Sequence, residues 1–204
     1  PEIPAYLTKM IHNTFHLPRL TAAHFAENRR RAVIGMVDGQ IVTEDRGYAE
    51  GVDPEKDILK MAVIERHKNT GHIGIGYLSG YGLKSGAVAT SVSHDSHNII
   101  CVGCNDADMA LAANRVVENH GGIVVVENGQ ILAELSLEIA GLMTDRPLEE
   151  VNTLLENAKA AAYGLGIRKD VDPFMTLSFI PLPVIPQLRL TTRGVVDVLT
   201  QQYI

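Results

Sequence analysis

Six consecutive residues, Ser93-His94-Asp95-Ser96-His97-Asn98, bring two imidazoles, a carboxylate, two hydroxyls and an amide into one short stretch. On an extended strand, positions three apart face opposite ways, but a tight turn brings them together. Convergence would make a metal site or an acid/base pair. The alternative is that these side chains satisfy the loop backbone and one another. His-x-x-His is not by itself a metal signature, and both readings stay open on spacing alone. A second group is Glu65-Arg66-His67, followed by Lys68-Asn-Thr-Gly71-His72 and then Gly74, Gly76, Gly80, Gly82 and Gly86. Glycines at this density let backbone approach a ligand or another chain closely, or build tight turns and close packing. Neither phosphate-loop pattern is present, because Gly82-Leu-Lys84-Ser85 lacks the upstream glycine spacing.

Cys101-Val-Gly-Cys104 is the remaining chemical motif. The nucleobase-deaminase zinc signature needs His-x-Glu and a proline before the first cysteine, and here His-x-Glu is missing and Ile100 takes the proline's place. That type of zinc site is excluded. The cysteines fall inside an apolar run, not at a helix start, so they read as packed small residues, not a redox pair.

The elements that must position these groups follow from periodicity. Ala32–Val37 and Gln40–Thr43 flank Asp38-Gly39, and Gly122–Val126 and Gln130–Ala133 flank Asn128-Gly129; both read as β-hairpins with tight two-residue turns. Residues 58–64, 86–93 and 98–103 read as strands, the last two covered on both faces. The His94–His97 cluster then lies in the connection between them. Asn105 or Asp106 can cap a helix to Asn119, with Met109, Ala112, Ala113, Val116 and Val117 on one stripe. Pro147 suits the start of a second helix, with Leu148, Val151, Leu155, Ala158 and Ala162 at helical spacing and Gly164 closing it. Residues 173–186, with Pro-Leu-Pro and Val-Ile-Pro, are expected to cross the surface as an extended segment. Residues 1–31 have mixed polarity and no clean period, with a short helical signal near Thr21–His24. The whole predicts an α/β or α+β domain: a mixed β-sheet with hairpins and at least two packed helices.

The 204 residues are 46% hydrophobic and 21% charged, an ordinary globular composition with core to spare. A net charge of −6 gives no field for a phosphate backbone, and Arg29-Arg30-Arg31 is too short for a nucleic-acid stripe. No apolar run approaches the roughly 20 residues of a membrane helix. Two cysteines make no disulfide scaffold, so a reducing cytoplasm is expected. A chain starting at Pro1 reads as processed or as a fragment.

The block from Glu65 to Gly103 resembles the signature block of the adenine deaminase C-terminal domain family. Asn105-Asp106 and the helix after it, Gly121-Gly122, Ile139–Met143, Leu177–Pro186 and Leu190–Gly194 extend the resemblance. Thr14–Pro18 and Gly39–Thr43 resemble the family's stretch joining barrel to C-terminal domain. The resemblance implies an amidohydrolase-superfamily enzyme of purine salvage, hydrolysing adenine to hypoxanthine and ammonia at a binuclear manganese or iron site. It puts the metal ligands in a barrel upstream of Pro1, with no catalytic or metal residue in this chain. It further implies residues 1–31 as an arm from that barrel, residues 32–204 as the domain, and the chain's own barrel as partner, in a homo-oligomer. Glu65, His67, His94, Asp95, His97 and Asn98 are the substrate-proximal candidates. The competing expectations are an autonomous metal site on His94, Asp95 and His97, and a purely structural or oligomerisation domain.

Overall fold

The computed structural model describes residues 5–12, 14–27 and 29–204. Pro1 and Pro4 of the N-terminal arm lie outside them. An eight-stranded mixed sheet runs in the order β2-β1-β4-β3-β6-β5-β7-β8. Its strands are β1 (Arg31–Met36), β2 (Thr43–Ala49), β3 (Leu59–Ile64), β4 (Ile73–Ser79), β5 (Ala87–Thr90), β6 (Ile99–Gly103), β7 (Gly122–Glu127) and β8 (Gln130–Ser136). Only β1 and β4 pair parallel; the other neighbours are antiparallel. The expected mixed α/β or α+β architecture is what forms.

Two layers cover the sheet. On one face lies α2 (Asp106–Glu118), whose Asn105 cap accepts the Asp108 amide at 2.8 Å. Its stripe of Met109, Ala112, Ala113 and Val116 is fully buried against Ala62, Ala89 and Cys101. Residues 14–27 share this face. Leu20 is clamped there by Asn114, which accepts its N–H at 2.9 Å and donates to its carbonyl at 2.8 Å. The other face carries α3 (Leu148–Gly164), the short α4 (Met175–Phe179) and a small sheet of β9 (Leu188–Thr191), β10 (Gly194–Asp197) and β11 (Gln202–Tyr203). Ala158 and Ala162 of α3 are buried as expected, whereas Leu148, at its first turn, is 68% exposed. A further helix, α1 (Ala5–His12), reaches the domain where Ala140 donates to the Ile11 carbonyl at 2.6 Å.

Two expectations are corrected and one turn is as foreseen. The Asn128-Gly129 turn is the tight one foreseen, with both residues at positive φ and Glu127 paired with Gln130. The Asp38-Gly39 hairpin instead pairs Met36 with Thr43, leaving 37–42 as a longer loop. Thr43 is captured from the far end of the chain: its hydroxyl donates to the Leu188 carbonyl at 2.6 Å and its carbonyl accepts Gln187 N–H at 2.9 Å. The tail 173–186 is not simply an extended surface segment. Asp172 accepts the amides of Phe174 and Met175, Pro173 sits behind them, and one short helix forms with Leu177 and Ser178 fully buried. The strand β4 and the small sheet carried no expectation at all.

Candidate functional site

The sequence-predicted residues meet at one end of the large sheet. There the β3–β4 loop (65–72), the β5–β6 loop (91–98) and the β8–α3 connection (137–147) lie side by side. They are tied by named bonds: Ser91 Oγ donates to the Gly141 carbonyl at 2.5 Å, and Arg66 N–H reaches Asn98 Oδ1 at 3.4 Å. The apolar strands give way here to polar residues. Ile64 gives way to Glu65, Ala89 to Thr90 and Ser91, and Asn98 precedes Ile99.

Glu65 organises its own loop. Its carboxylate accepts the amides of His67 at 2.6 Å, Lys68 at 2.9 Å and Thr70 at 3.1 Å, and the Thr70 hydroxyl at 3.0 Å. Partial burial works against the charge, but these donors prevail and hold it below the usual carboxylate range. His67 donates Nε2–H to the Ser96 carbonyl at 2.7 Å, which joins the two loops and fixes its tautomer.

The His94–Asn98 loop is a tight turn, with His97 N–H on the Ser93 carbonyl at 2.6 Å. His97 adopts a left-handed φ of 48°. Its Nδ1 accepts Ser93 N–H at 3.4 Å, so the neutral ring carries its proton on Nε2. Burial, then the neighbouring His94 and Arg66, pushes the His97 imidazole below its ordinary value, with Asp95 opposing in part. His94 donates its amide to the Ser178 carbonyl at 2.8 Å, and its ring lies 4.7 Å from that of Phe179 and 5.9 Å from that of His97. Asp95 is exposed. Asn98 is buried and donates to Ser96 Oγ at 3.0 Å. Ser93 Oγ is sealed from solvent without a partner among the described residues, so no serine–histidine nucleophile is built here.

A depressed histidine leaves a pH signature. With the folded pKa below about 6.5, the unfolded chain takes up the proton first on acidification. The stabilisation is therefore present above that value and lost as pH falls through the folded pKa. Thermal unfolding between about pH 7.5 and about pH 5 should cost the native chain more melting temperature than His97→Asn, since asparagine tolerates the left-handed backbone. Equal losses in the two chains would remove His97 as the sensing group.

Two residues that motif reading passes over carry this end of the fold. Arg66 is 1% exposed and has no carboxylate partner among the described residues. It donates Nε–H to the His97 carbonyl at 2.5 Å, Nη1–H to the Thr14 carbonyl and hydroxyl at 2.9 Å, and Nη2–H to the Ala140 carbonyl at 3.0 Å. Phe15 covers its guanidinium at 4.2 Å, and burial pushes its pKa down to about 10. Arg189 does the same for the tail, donating to the carbonyls of Ile185, Phe179, Ile41 and Pro186. The available signal is an arginine placed directly in or after a fully apolar strand. The cysteines pack: Cys101 is buried and Cys104 half-buried, with burial pushing the Cys104 thiol up to about 11.

No three histidine, cysteine, aspartate or glutamate side chains among the described residues stand close enough to hold a metal ion. His94, Asp95 and His97 share one turn without forming such a set.

Residues 34–202 match the family model described as the adenine deaminase C-terminal domain. The chain is 47% identical over 196 residues to the adenine deaminase of Brucella abortus, covering 91% of this chain and 34% of the relative. It is 49% identical over 174 residues to adenine deaminase 1 of Rhizobium meliloti, covering 82% and 31%. Against the adenine deaminase of Gluconobacter oxydans it is 46% identical over 200 residues, covering 92% and 35%. The chain thus spans about a third of the length of the curated relatives it matches. With that match running through the sheet and the two loops alike, the chain belongs to the adenine deaminase C-terminal domain family.

Proposed function

We propose that this chain is the C-terminal part of an adenine deaminase, without turnover of its own, that packs its loop-bearing sheet end on an upstream metal-binding barrel. One observation carries the reading: residues 14–16 run onto the same end of the sheet as loops 65–72 and 91–98. His16 N–H bonds the Arg66 carbonyl at 2.7 Å, and Arg66 binds Thr14 and His97 together. This supports a reading in which the upstream region meets the face that holds Glu65, His67, His94, Asp95, His97 and Asn98.

The reaction is adenine and water to hypoxanthine and ammonia, in cytoplasmic purine salvage. Manganese or iron, held upstream, supplies the activated water. In this reading the metal is held upstream, and no residue of this chain takes a step on it. The part of this chain is to close the barrel's mouth, exclude water and orient the purine with loop 94–98. Residues 1–31 are the arm from the barrel, and the domain begins at residue 32. Assembly as a homo-oligomer completes the reading.

Ammonia release from adenine by the 204-residue chain, supplied with manganese or ferrous iron, is expected at the level of the metal alone. The same chain joined to its upstream barrel should turn adenine over. Activity of the chain alone would overturn the proposal and make the His94–His97 turn the first place to look.

A further inference from the structure

The turn that leads from β8 toward α3 holds a conformation its own sequence does not ask for. Ala140 sits at a left-handed φ of 59°, followed by Gly141 at 77°. Glycine takes that region freely, whereas the Cβ of alanine disfavours it and offers no polar atom to bond locally. Such backbone persists where its surroundings impose it. The turn's own bonds fix its outline: Ile139 N–H reaches the Met143 carbonyl at 2.8 Å, and Leu142 N–H the Ile139 carbonyl at 3.0 Å. The rest comes from two distant segments. From the arm, the Ile11 carbonyl accepts Ala140 N–H at 2.6 Å. Phe15 lies against Gly141, where a Cβ would stand 3.1 Å from its ring and 2.9 Å from Arg66 Nη2. From loop 91–98, Ser91 Oγ donates to the Gly141 carbonyl at 2.5 Å while accepting Gly122 N–H at 2.8 Å. Arg66 joins all three: one guanidinium spans Thr14, Ala140 and His97, and its carbonyl accepts His16 N–H.

We propose that the arm sets the order of loop 91–98 through this turn and Arg66. With Ile11, Thr14 and Phe15 seated, Ala140 is held left-handed, and Arg66 and Ser91 clamp the loop. With the arm lifted, the turn relaxes toward alanine's own preference and the loop loosens with it. The two ends cannot move independently, because Thr14 and His97 take different nitrogens of one planar group. Coupling of this kind is reciprocal, so ordering the loop also favours the seated arm. Under the function proposed above, on which this meaning rests, the barrel's hold on the arm regulates the loop at its mouth. The coupling itself is a property of this chain alone.

The test is native-state amide exchange of the 204-residue chain, read by NMR. In Phe15→Ala the amides of His97, Leu142 and Met143 are expected to exchange at least tenfold faster, while those of Ile100, Val102, Ala112 and Val116 hold. The milder Thr14→Val, which removes one acceptor of Arg66, should speed the same amides at least threefold, and it decides the matter if Phe15→Ala does not fold. In the reverse direction, Ser91→Ala in the loop should speed exchange of the His16 amide in the arm. Ala140→Gly separates the turn from simple loss of contact. Glycine keeps the left-handed backbone without the arm, so adding it to either arm variant should slow the loop amides again at least threefold. Unchanged loop amides, a rise shared equally by β6 and α2, an unmoved His16 amide, or no recovery with Ala140→Gly would each overturn the proposal. Turnover separates the two readings. A chain that supports deamination when joined to its barrel but shows uncoupled exchange sinks the coupling only. Coupled exchange without that turnover sinks the deaminase reading only.

Discussion

Arg66→Met is expected to lower the unfolding free energy by about 3 kcal/mol. Two effects compete. Removing a buried guanidinium relieves its desolvation, and exchange of buried charge for an apolar side chain can be neutral or stabilising when its partners leave with it. Here they do not leave. The carbonyls of His97, Thr14 and Ala140 are half-buried backbone, stay in place, and belong to three segments far apart in sequence. Each left without a donor costs on the order of 1–3 kcal/mol, which outweighs the recovered hydration. Phe15 loses the cation it covers as well. For a chain of this length the melting temperature should fall by roughly 6–12 °C. Arg66→Lys should recover little, since one ammonium cannot span a fork that reaches three segments. A loss under about 1 kcal/mol for Arg66→Met would mean that water takes over the three carbonyls and that the hub is dispensable.

That arginine also marks where sequence reading stops. Hairpin turns, helix caps and apolar stripes are local, so Asn128-Gly129, Asn105 and the α2 stripe announce themselves in a window of a few residues. Arg66 looks like one more charge at a loop, because what makes it structural lies 52 residues away at Thr14 and 74 away at Ala140. The same applies to Thr43, held by Leu188 across 145 residues, which is why the first hairpin opens into a loop. The site shares the pattern. Loop 91–98 is legible as a chemical cluster, but the groove beside it is not, because the opposite wall comes from Pro181–Val184 and Thr191-Thr192. In the tail the local signal was present but obscured: Asp172-Pro173 is a good helix start, masked by the prolines that follow.

Strand β4 was hidden by glycine, and the reason is the last expected result. Ile73-Gly-Ile-Gly-Tyr77 alternates with period two, but two of its positions have no side chain, and glycine is a poor strand former. The absent side chains are where the small sheet docks. A Cβ at Gly74 would stand 1.8 Å from the Thr191 carbonyl oxygen and 2.9 Å from the Gly194 nitrogen; one at Gly76 would meet Val195 Cγ2 at 2.9 Å. The first obstacle is backbone and cannot rotate away. Gly74→Ala must therefore push the β9–β10 hairpin off β4 or buckle the strand, and overpacking of this kind costs about 3 kcal/mol, the upper part of its usual range. Gly51→Ala, where a Cβ meets nothing within 4 Å, serves as the control and should be close to neutral. The discriminating readout is local. Because the obstacle is the backbone of Thr191 and Gly194, the β9 and β10 amides of Gly74→Ala should lose protection at temperatures where the α2 face of the sheet is still intact by amide exchange. If the two losses coincide, the small sheet and the main sheet unfold as one unit, and docking at Gly74 is part of the core and not a separable contact.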